Sequence, residues 1–226
     1  LSAAGNDVIF PGMEILAVCG VAIGAFLAGG IPFSWLLGKV AGFDLRREGS
    51  GNPGATNLYR TAGPAWGITG LLLDVAKGFL PVLAARWLFP EVEAAAIVAA
   101  AAAIAGHIWT PYLGFRGGKG VATATGAFLA INPLVLLIAV GAFAIVVAAT
   151  RYVSLGSMIG AVVAFVVSFW LPLLEGRPVD PYFVAFCGVC AASIIVAHRK
   201  NIGRLISGTE GKFGARAKND TQDQKR

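Results

Sequence analysis

Along this chain the apolar residues gather into long unbroken blocks, separated by short stretches crowded with Gly, Pro, Asn and Arg. A membrane-spanning helix needs about 20 apolar residues. Blocks of that order run from about Met13 to Lys39, Pro64 to Phe89, Val92 to Trp109, Val153 to Leu174 and Pro181 to Ala197. Residues 121–149 form one longer block interrupted at Asn132-Pro133. As a single helix it would measure about 43 Å, but Pro removes a helical hydrogen bond and Asn-Pro favours a turn. The pattern therefore predicts a hairpin of two short helices, about 120–131 and 133–149. The expected fold is all-α, a polytopic membrane protein with seven transmembrane helices. Gly20, Gly24 and Ala28 are spaced for close helix contact in the first span.

Charge tests that count. Seven spans put Lys39, Arg46, Arg47, Arg60, Arg116, Lys119, Arg151 and everything from Arg199 onward on one side. The other side holds the acidic "PEVE", the Asn-Pro turn and "EGRPVD". Of the 18 Lys and Arg, only Arg86 and Arg177 fall near that second side, and Lys77 lies within a span. The positive-inside rule makes the basic face cytoplasmic, with the N-terminus outside and the C-terminus inside. A single span over 121–149 would swap the sides partway and weaken the bias. The last residues, 211–226, read as a polar, basic cytoplasmic tail near anionic headgroups, following one integral membrane domain over 1–210.

Composition agrees. At 57% hydrophobic, 13% charged and a mean hydropathy of +0.74, the chain lacks the charged surface of a soluble domain, about 25%. The net charge of +6 follows from loop placement and gives no reason to expect a nucleic-acid partner. The chain opens on Leu1, which fits a trimmed start or a non-standard start codon. No basic stretch or small-residue cleavage site precedes the first block, so it is expected to stay as a span. Cys19, Cys187 and Cys190 lie inside apolar blocks, and the Cys187/Cys190 pair has no charged neighbour to activate a thiol. They read as small buried residues.

Three polar stretches stand out, all on the predicted cytoplasmic face. In "REGSGNPGATNLYR", Gly49 and Gly51 let the backbone approach a ligand, Ser50 offers a hydroxyl, and Arg46, Arg47 and Arg60 supply charge. Asn52 is expected to N-cap a short helix that Pro53 opens, its N-terminus an anion site or simply a capped loop against headgroups. In "GFRGGKGVATATG", Gly117, Gly118 and Gly120 surround Lys119 just before an apolar helix with Thr123 and Thr125. Backbone N–H groups and the dipole would point at a phosphate there. Gly120 stands where a Walker A loop needs Ser or Thr, which disfavours nucleotide hydrolysis. His107 is either a ligand contact or a helix-end histidine bonded to a carbonyl. In "HRKNIGRL", His198 and Asn201 would share a helix face that Arg204 extends, with Glu210 placed to clamp the bases. Asp74 and Lys77, three apart in a span, are expected to pair structurally; a proton or ion relay is the alternative.

These features describe a cationic, Gly-rich site among membrane helices. They suit an enzyme joining a phosphorylated small molecule to a lipid, or a carrier of organic phosphate. A carrier needs access from both faces; the outer loops are short and mildly acidic, and no inverted repeat is visible. "GSGNPGATN", "GFRGGKGVAT" and "HRKNIGRL" followed by Glu210 resemble the three signature motifs of the acyl-phosphate:glycerol-3-phosphate acyltransferases, in the same order. "LLLDVAKGFLP" and "RYVSLG" are also similar, so the resemblance covers about residues 14 to 210. It implies a seven-span enzyme of the bacterial inner membrane, its site facing the cytoplasm. The reaction implied is acyl phosphate plus sn-glycerol 3-phosphate giving 1-acyl-glycerol 3-phosphate and phosphate, functionally coupled to the enzyme that makes acyl phosphate. The residues it implies as catalytic are Ser50 and Arg46, Lys119, and His198 with Asn201. Gly117, Gly118, Gly120 and Ser154 would bind substrate, while Asn52, Asn57, Glu210, Asp74 and Lys77 would hold the site together. Arg116 stands where Lys is common. No cofactor and no metal is expected.

An acyl phosphate is already an activated mixed anhydride. The enzyme has to hold two anions together and neutralise their repulsion. Neither histidine begins a His-x-x-x-x-Asp pattern, since Tyr112 follows His107 and Gly203 follows His198. His198 either positions glycerol 3-phosphate or acts as a base. The departing phosphate is the preferred proton acceptor, because no carboxylate adjoins His198 in sequence.

Overall fold

Most long helices start where the polar punctuation puts them. The computed structural model describes residues 11–214, and its α-helices run in chain order as α1 Pro11–Gly30, α2 Phe33–Val40, α3 Ala55–Ala62, α4 Pro64–Leu88, α5 Glu93–Ile108, α6 Val121–Ile131, α7 Pro133–Thr150, α8 Val153–Leu174, α9 Pro181–Ala197 and α10 Arg199–Ile206. A 3₁₀ turn occupies Pro111–Leu113. Pro64, Pro133 and Pro181 open their helices, where a missing N–H costs nothing. Asn132 ends α6 and caps α7, its Oδ1 accepting the Val135 N–H at 3.1 Å. Asp180 likewise accepts from Tyr182 and Phe183. The predicted break of the long apolar block is thus present, with local caps on both sides of it.

Five described helical stretches are long and apolar enough to cross a membrane, and a sixth is formed if α9 and α10 count together across their 57° bend. The protein is a multi-pass, all-helical membrane protein. With 11 residues, α6 reaches only about 16 Å, roughly half a hydrocarbon core. The first span, expected from Met13 to Lys39, is one candidate crossing over Ile15–Val40, but its helix is interrupted between α1 and α2, where Pro32 has no N–H to give. Distant donors satisfy the carbonyls at that break. Thr110 Oγ donates to Gly30 O at 2.6 Å and Lys77 Nζ to Ile31 O at 2.7 Å.

Packing relies on close backbone approach. A Cβ on Gly29 would overlap the Ala103 backbone, one on Gly106 that of Phe26, one on Gly78 that of Thr123 and one on Gly126 that of Val75. These contacts fasten α1 to α5 and α4 to α6. Without a hydrophobic force between helices in lipid, small residues supply the contact area. The contact face of α1 differs from the expected one: Gly20 and Gly24 meet nothing within 4 Å, and over residues 15–30 the buried positions are Ala25, Gly29 and Gly30. Cys187 and Cys190 are buried and unbridged, as read, while Cys19 is exposed. Residues 215–226, most of the expected tail, lie outside the described residues, as do 1–10.

Candidate active site

The opening polar stretch is a loop organised around one side chain. Asn57, on α3 and 2% exposed, places its Nδ2 3.0 Å from the carbonyls of Leu45, Glu48 and Asn52, which share its two hydrogens, and accepts the Ser50 N–H at 3.0 Å. Gly49 and Gly51 have φ of 53° and 70°, a region closed to most L-residues. Asn52 does not cap α3. Its Oδ1 accepts the Gly54 N–H at 3.0 Å, an Asx turn that leaves Pro53 outside the helix and Gly54 at the N-cap without a side-chain bond. Ser50 sits exposed at the loop's tip.

The basic residues of this stretch part company. Arg46 donates to both oxygens of Asp44, at 3.1 and 2.9 Å, and lies 5.3 Å over the Trp35 ring; Lys39 pairs with the same carboxylate. The Arg46 hydrogen bonds outweigh desolvation and, with Lys39 and Trp35, hold the Asp44 carboxyl well below the usual range. Arg60 turns the other way. Its Nη2 donates to Gly211 O at 3.0 Å, and Glu210 and Arg204 are the charges it feels.

The glycine loop is stapled to the end of α5. Gly117 N–H bonds Ile108 O at 2.9 Å and Gly118 N–H bonds His107 O at 3.1 Å, so these two amides face α5 rather than a ligand, contrary to the expectation for the loop. The glycines are required sterically: a Cβ at Gly117 would strike His107 O and one at Gly118 the His107 ring. Gly120, at φ 83°, turns the chain into α6. Between them Lys119 is half-buried. Burial lowers its pKa to about 8, with Glu210 opposing and Arg204 and Arg60 reinforcing the shift.

In the third stretch the helix does not continue through His198. It ends α9 and starts α10, with the 57° bend between them, so the predicted shared helix face is replaced by a corner. Both side chains are nevertheless buried. His198 Nδ1 lies 2.8 Å from Ile194 O. A carbonyl only accepts, so Nδ1 carries hydrogen and neutral imidazole keeps a free lone pair on Nε2. Asn201 Nδ2 donates to Glu210 Oε1 at 2.6 Å, Ser154 Oγ to the same oxygen at 2.7 Å, and Arg204 Nε to Oε2 at 2.7 Å. Burial raises the Glu210 pKa, but these three donors outweigh it and hold the carboxyl below its ordinary range. The backbone beyond crosses this face, Phe213 N–H bonding Arg151 O at 2.7 Å and its ring lying 5.5 Å from Tyr59. Arg60, Arg204 and Lys119 thus gather about one carboxylate, beside His198. Arg60 and Arg204 were visible in sequence only as charge; Asp44, two residues before Arg46, was the signal that Arg46 already had a partner.

Beneath the loop, Asp74 and Lys77 pair at 2.9 Å, 2% and 5% exposed. Ser34 Oγ donates to Asp74 Oδ2 at 2.6 Å, and His107 Nδ1 is 4.0 Å from Asp74 Oδ1. Among the described residues no carbonyl pairs with His107 Nδ1. No group of three or more His, Cys, Asp and Glu among the described residues could hold a metal.

A helical membrane protein with a cationic cluster beside a Gly-rich loop is the class these features define. The chain belongs to the glycerol-3-phosphate acyltransferase family, whose model matches residues 19–208. It is 48% identical over 192 residues to the glycerol-3-phosphate acyltransferase of Trichlorobacter lovleyi, covering 85% of this chain and 95% of that one, and 47% identical to that of Geobacter sulfurreducens, covering 84% and 95%. Its fold is similar to the crystal structure of PlsY (YgiH), an integral membrane glycerol 3-phosphate acyltransferase, in its glycerol 3-phosphate form: TM-score 0.80, 37% identity, 88% of this chain and 96% of that one. The lysophosphatidic acid form gives 0.77 at 36%.

Proposed function

We propose that this protein transfers a fatty acyl group from acyl phosphate to the hydroxyl of sn-glycerol 3-phosphate, releasing 1-acyl-glycerol 3-phosphate and phosphate. The observation that carries the reading is the gathering of Arg60, Arg204 and Lys119 around Glu210, beside His198 and a Gly-rich loop. Two anionic substrates need a surplus of fixed cations to approach each other. Glu210 takes one Arg204 N–H and leaves the Lys119 ammonium and the remaining guanidinium donors for phosphate oxygens. Family membership and the likeness to a PlsY structure in a glycerol 3-phosphate form support glycerol 3-phosphate as acceptor.

In the transfer, the acceptor hydroxyl attacks the acyl carbonyl carbon, the carbon–oxygen bond to phosphate breaks, and the hydroxyl proton passes to the leaving phosphate. His198 Nδ1 is committed to a carbonyl, with no carboxylate behind it to stabilise an imidazolium. Its free Nε2 suits holding the hydroxyl, and the phosphate dianion suits taking the proton. Ser50, exposed on its pinned loop, reads as a second contact to substrate, and Ser154 and Asn201 as holders of Glu210. The site faces the cytoplasm of a bacterial inner-membrane protein with seven crossings, α6 and α7 each counting as one, supplied by an enzyme that makes acyl phosphate.

Purified protein in lipid, given palmitoyl phosphate with and without glycerol 3-phosphate, tests the proposal. The expected result is phosphate release that requires glycerol 3-phosphate, with lysophosphatidic acid formed one for one. Release without acceptor would mean a hydrolase, and no release with counterflow of glycerol 3-phosphate would mean a carrier. Lys119→Ala is expected to abolish transfer while the protein stays folded in the membrane.

A further inference from the structure

The pair Asp74–Lys77 and the ring of His107 lie outside the cation cluster, and the reaction as derived makes no use of them. A buried ion pair is costly to keep in hydrocarbon, and well-packed apolar residues of similar volume often stabilise as well or better. The pair stands on α4, His107 at the end of α5, and Ser34 and Ile31 tie the pair to the break between α1 and α2. Above this group lies Gly118, whose Cα rests against His107 Nε2 so closely that no Cβ fits. The same histidine's carbonyl accepts the Gly118 N–H at 3.1 Å. Lys119 is the next residue, so any shift of the ring moves the lysine's backbone.

A cavity of about 10 Å³ separates Asp74, Lys77, His107 and Gly118, at the lower limit for one water. Among the described residues His107 Nδ1 has no partner, and Asp74 Oδ1 has only the Lys77 ammonium, 2.9 Å away, which leaves the carboxylate oxygen a further lone pair. These two atoms are 4.0 Å apart, a gap that one water bridges at ordinary hydrogen-bond lengths of about 2.8 Å.

We propose that His107 is a positioning residue for the Gly117–Lys119 loop: the buried Asp74–Lys77 pair fixes its ring through a single bridging water, and the ring forms the floor that sets Lys119 at the substrate phosphate. The inference rests on the reading of Lys119 as a phosphate-binding cation. It explains why a charged pair is buried at this depth and why glycine stands at 118. Misplacing a binding group by about 1 Å can cost up to roughly a hundredfold in rate.

The test uses His107→Leu, His107→Gln and Lys119→Ala in the full-length protein in lipid. Readouts are kcat, KM for each substrate, and protection of Lys119 by inorganic phosphate against an amine-reactive reagent. In His107→Leu, kcat/KM is expected to fall roughly tenfold to a hundredfold, chiefly through KM, with phosphate protection of Lys119 lost. His107→Gln carries an amide to the Nε2 position against Gly118 but not the Nδ1 link to Asp74, and is expected to restore part of both. A folded His107→Leu with normal KM and normal protection overturns the proposal, as does equal damage in Leu and Gln. Should His107→Leu fail to fold, Gly118→Ala, which lifts the loop from the ring, is expected to show the same rise in KM; normal KM in that variant also overturns the proposal. Unchanged kinetics in Lys119→Ala would instead remove the phosphate-loop reading itself.

Discussion

Lys119 ties chemistry to pH most directly. Burial holds its pKa near 8, so the ammonium needed for phosphate is complete well below pH 8 and lost as pH rises through it. Binding of phosphate substrate is therefore expected to weaken above about pH 8, seen as a rising KM. Lys119→Arg, charged throughout this range, should flatten that rise even if its activity is lower. Stability should move the opposite way. Between the folded value and the ordinary lysine range the unfolded chain binds more protons, so raising pH favours folding there. Glu210 has the reverse sign. Its lowered pKa contributes stability that is complete above the ordinary carboxylate range and is lost as pH falls below it. Glu210→Gln keeps two acceptor bonds but turns an amide N–H toward Arg204, and is expected to cost about 1.5–3 kcal/mol, read as a lower Tm in detergent together with loss of transfer.

At the scale of elements, Asn57 is the hinge of the first loop, because one amide meets three carbonyls and one N–H. Asn57→Asp replaces the donor by a charge facing those carbonyls. Activity is expected to fall at least about tenfold with helical content by circular dichroism unchanged, since α3 and α4 still pack through Gly67 against Tyr59. Helix ends were legible in sequence because their causes are local: Pro at the first position, Asn132 and Asp180 as caps. The break at Ile31-Pro32 was not, since what makes it tolerable comes from Lys77 and Thr110, 46 and 80 residues away. The bend at His198 was hidden by an unbroken helical pattern. In the site the motif glycines and Lys119 were legible as a group. That the amides of Gly117 and Gly118 face α5, and that Arg60 rather than Arg46 turns toward Glu210, depends on where neighbouring elements pack.

For the whole molecule, residue pattern and helix length meet at α6. Its 11 residues would not cross a bilayer alone, yet charge balance asks for a crossing between Lys119 and Asn132. The two fit if the glycine loop is recessed, so that α6 starts partway into the membrane. Gly78, near the middle of α4, packs on Thr123 at the start of α6, which supports that depth. The recess would then place Lys119 below the cytoplasmic surface, within reach of an acyl phosphate whose chain stays among the lipid tails. Single cysteines introduced into a chain with Cys19, Cys187 and Cys190 replaced test this arrangement. At Leu134, exposed at the start of α7, and at Gly176, an impermeant thiol reagent added to spheroplasts is expected to label without lysis. At Arg47 and Lys200 it should label only after lysis. Labelling at Leu134 that requires lysis would put the Asn132 turn on the cytoplasmic side, reduce the crossings by one and detach the glycine loop from a membrane recess.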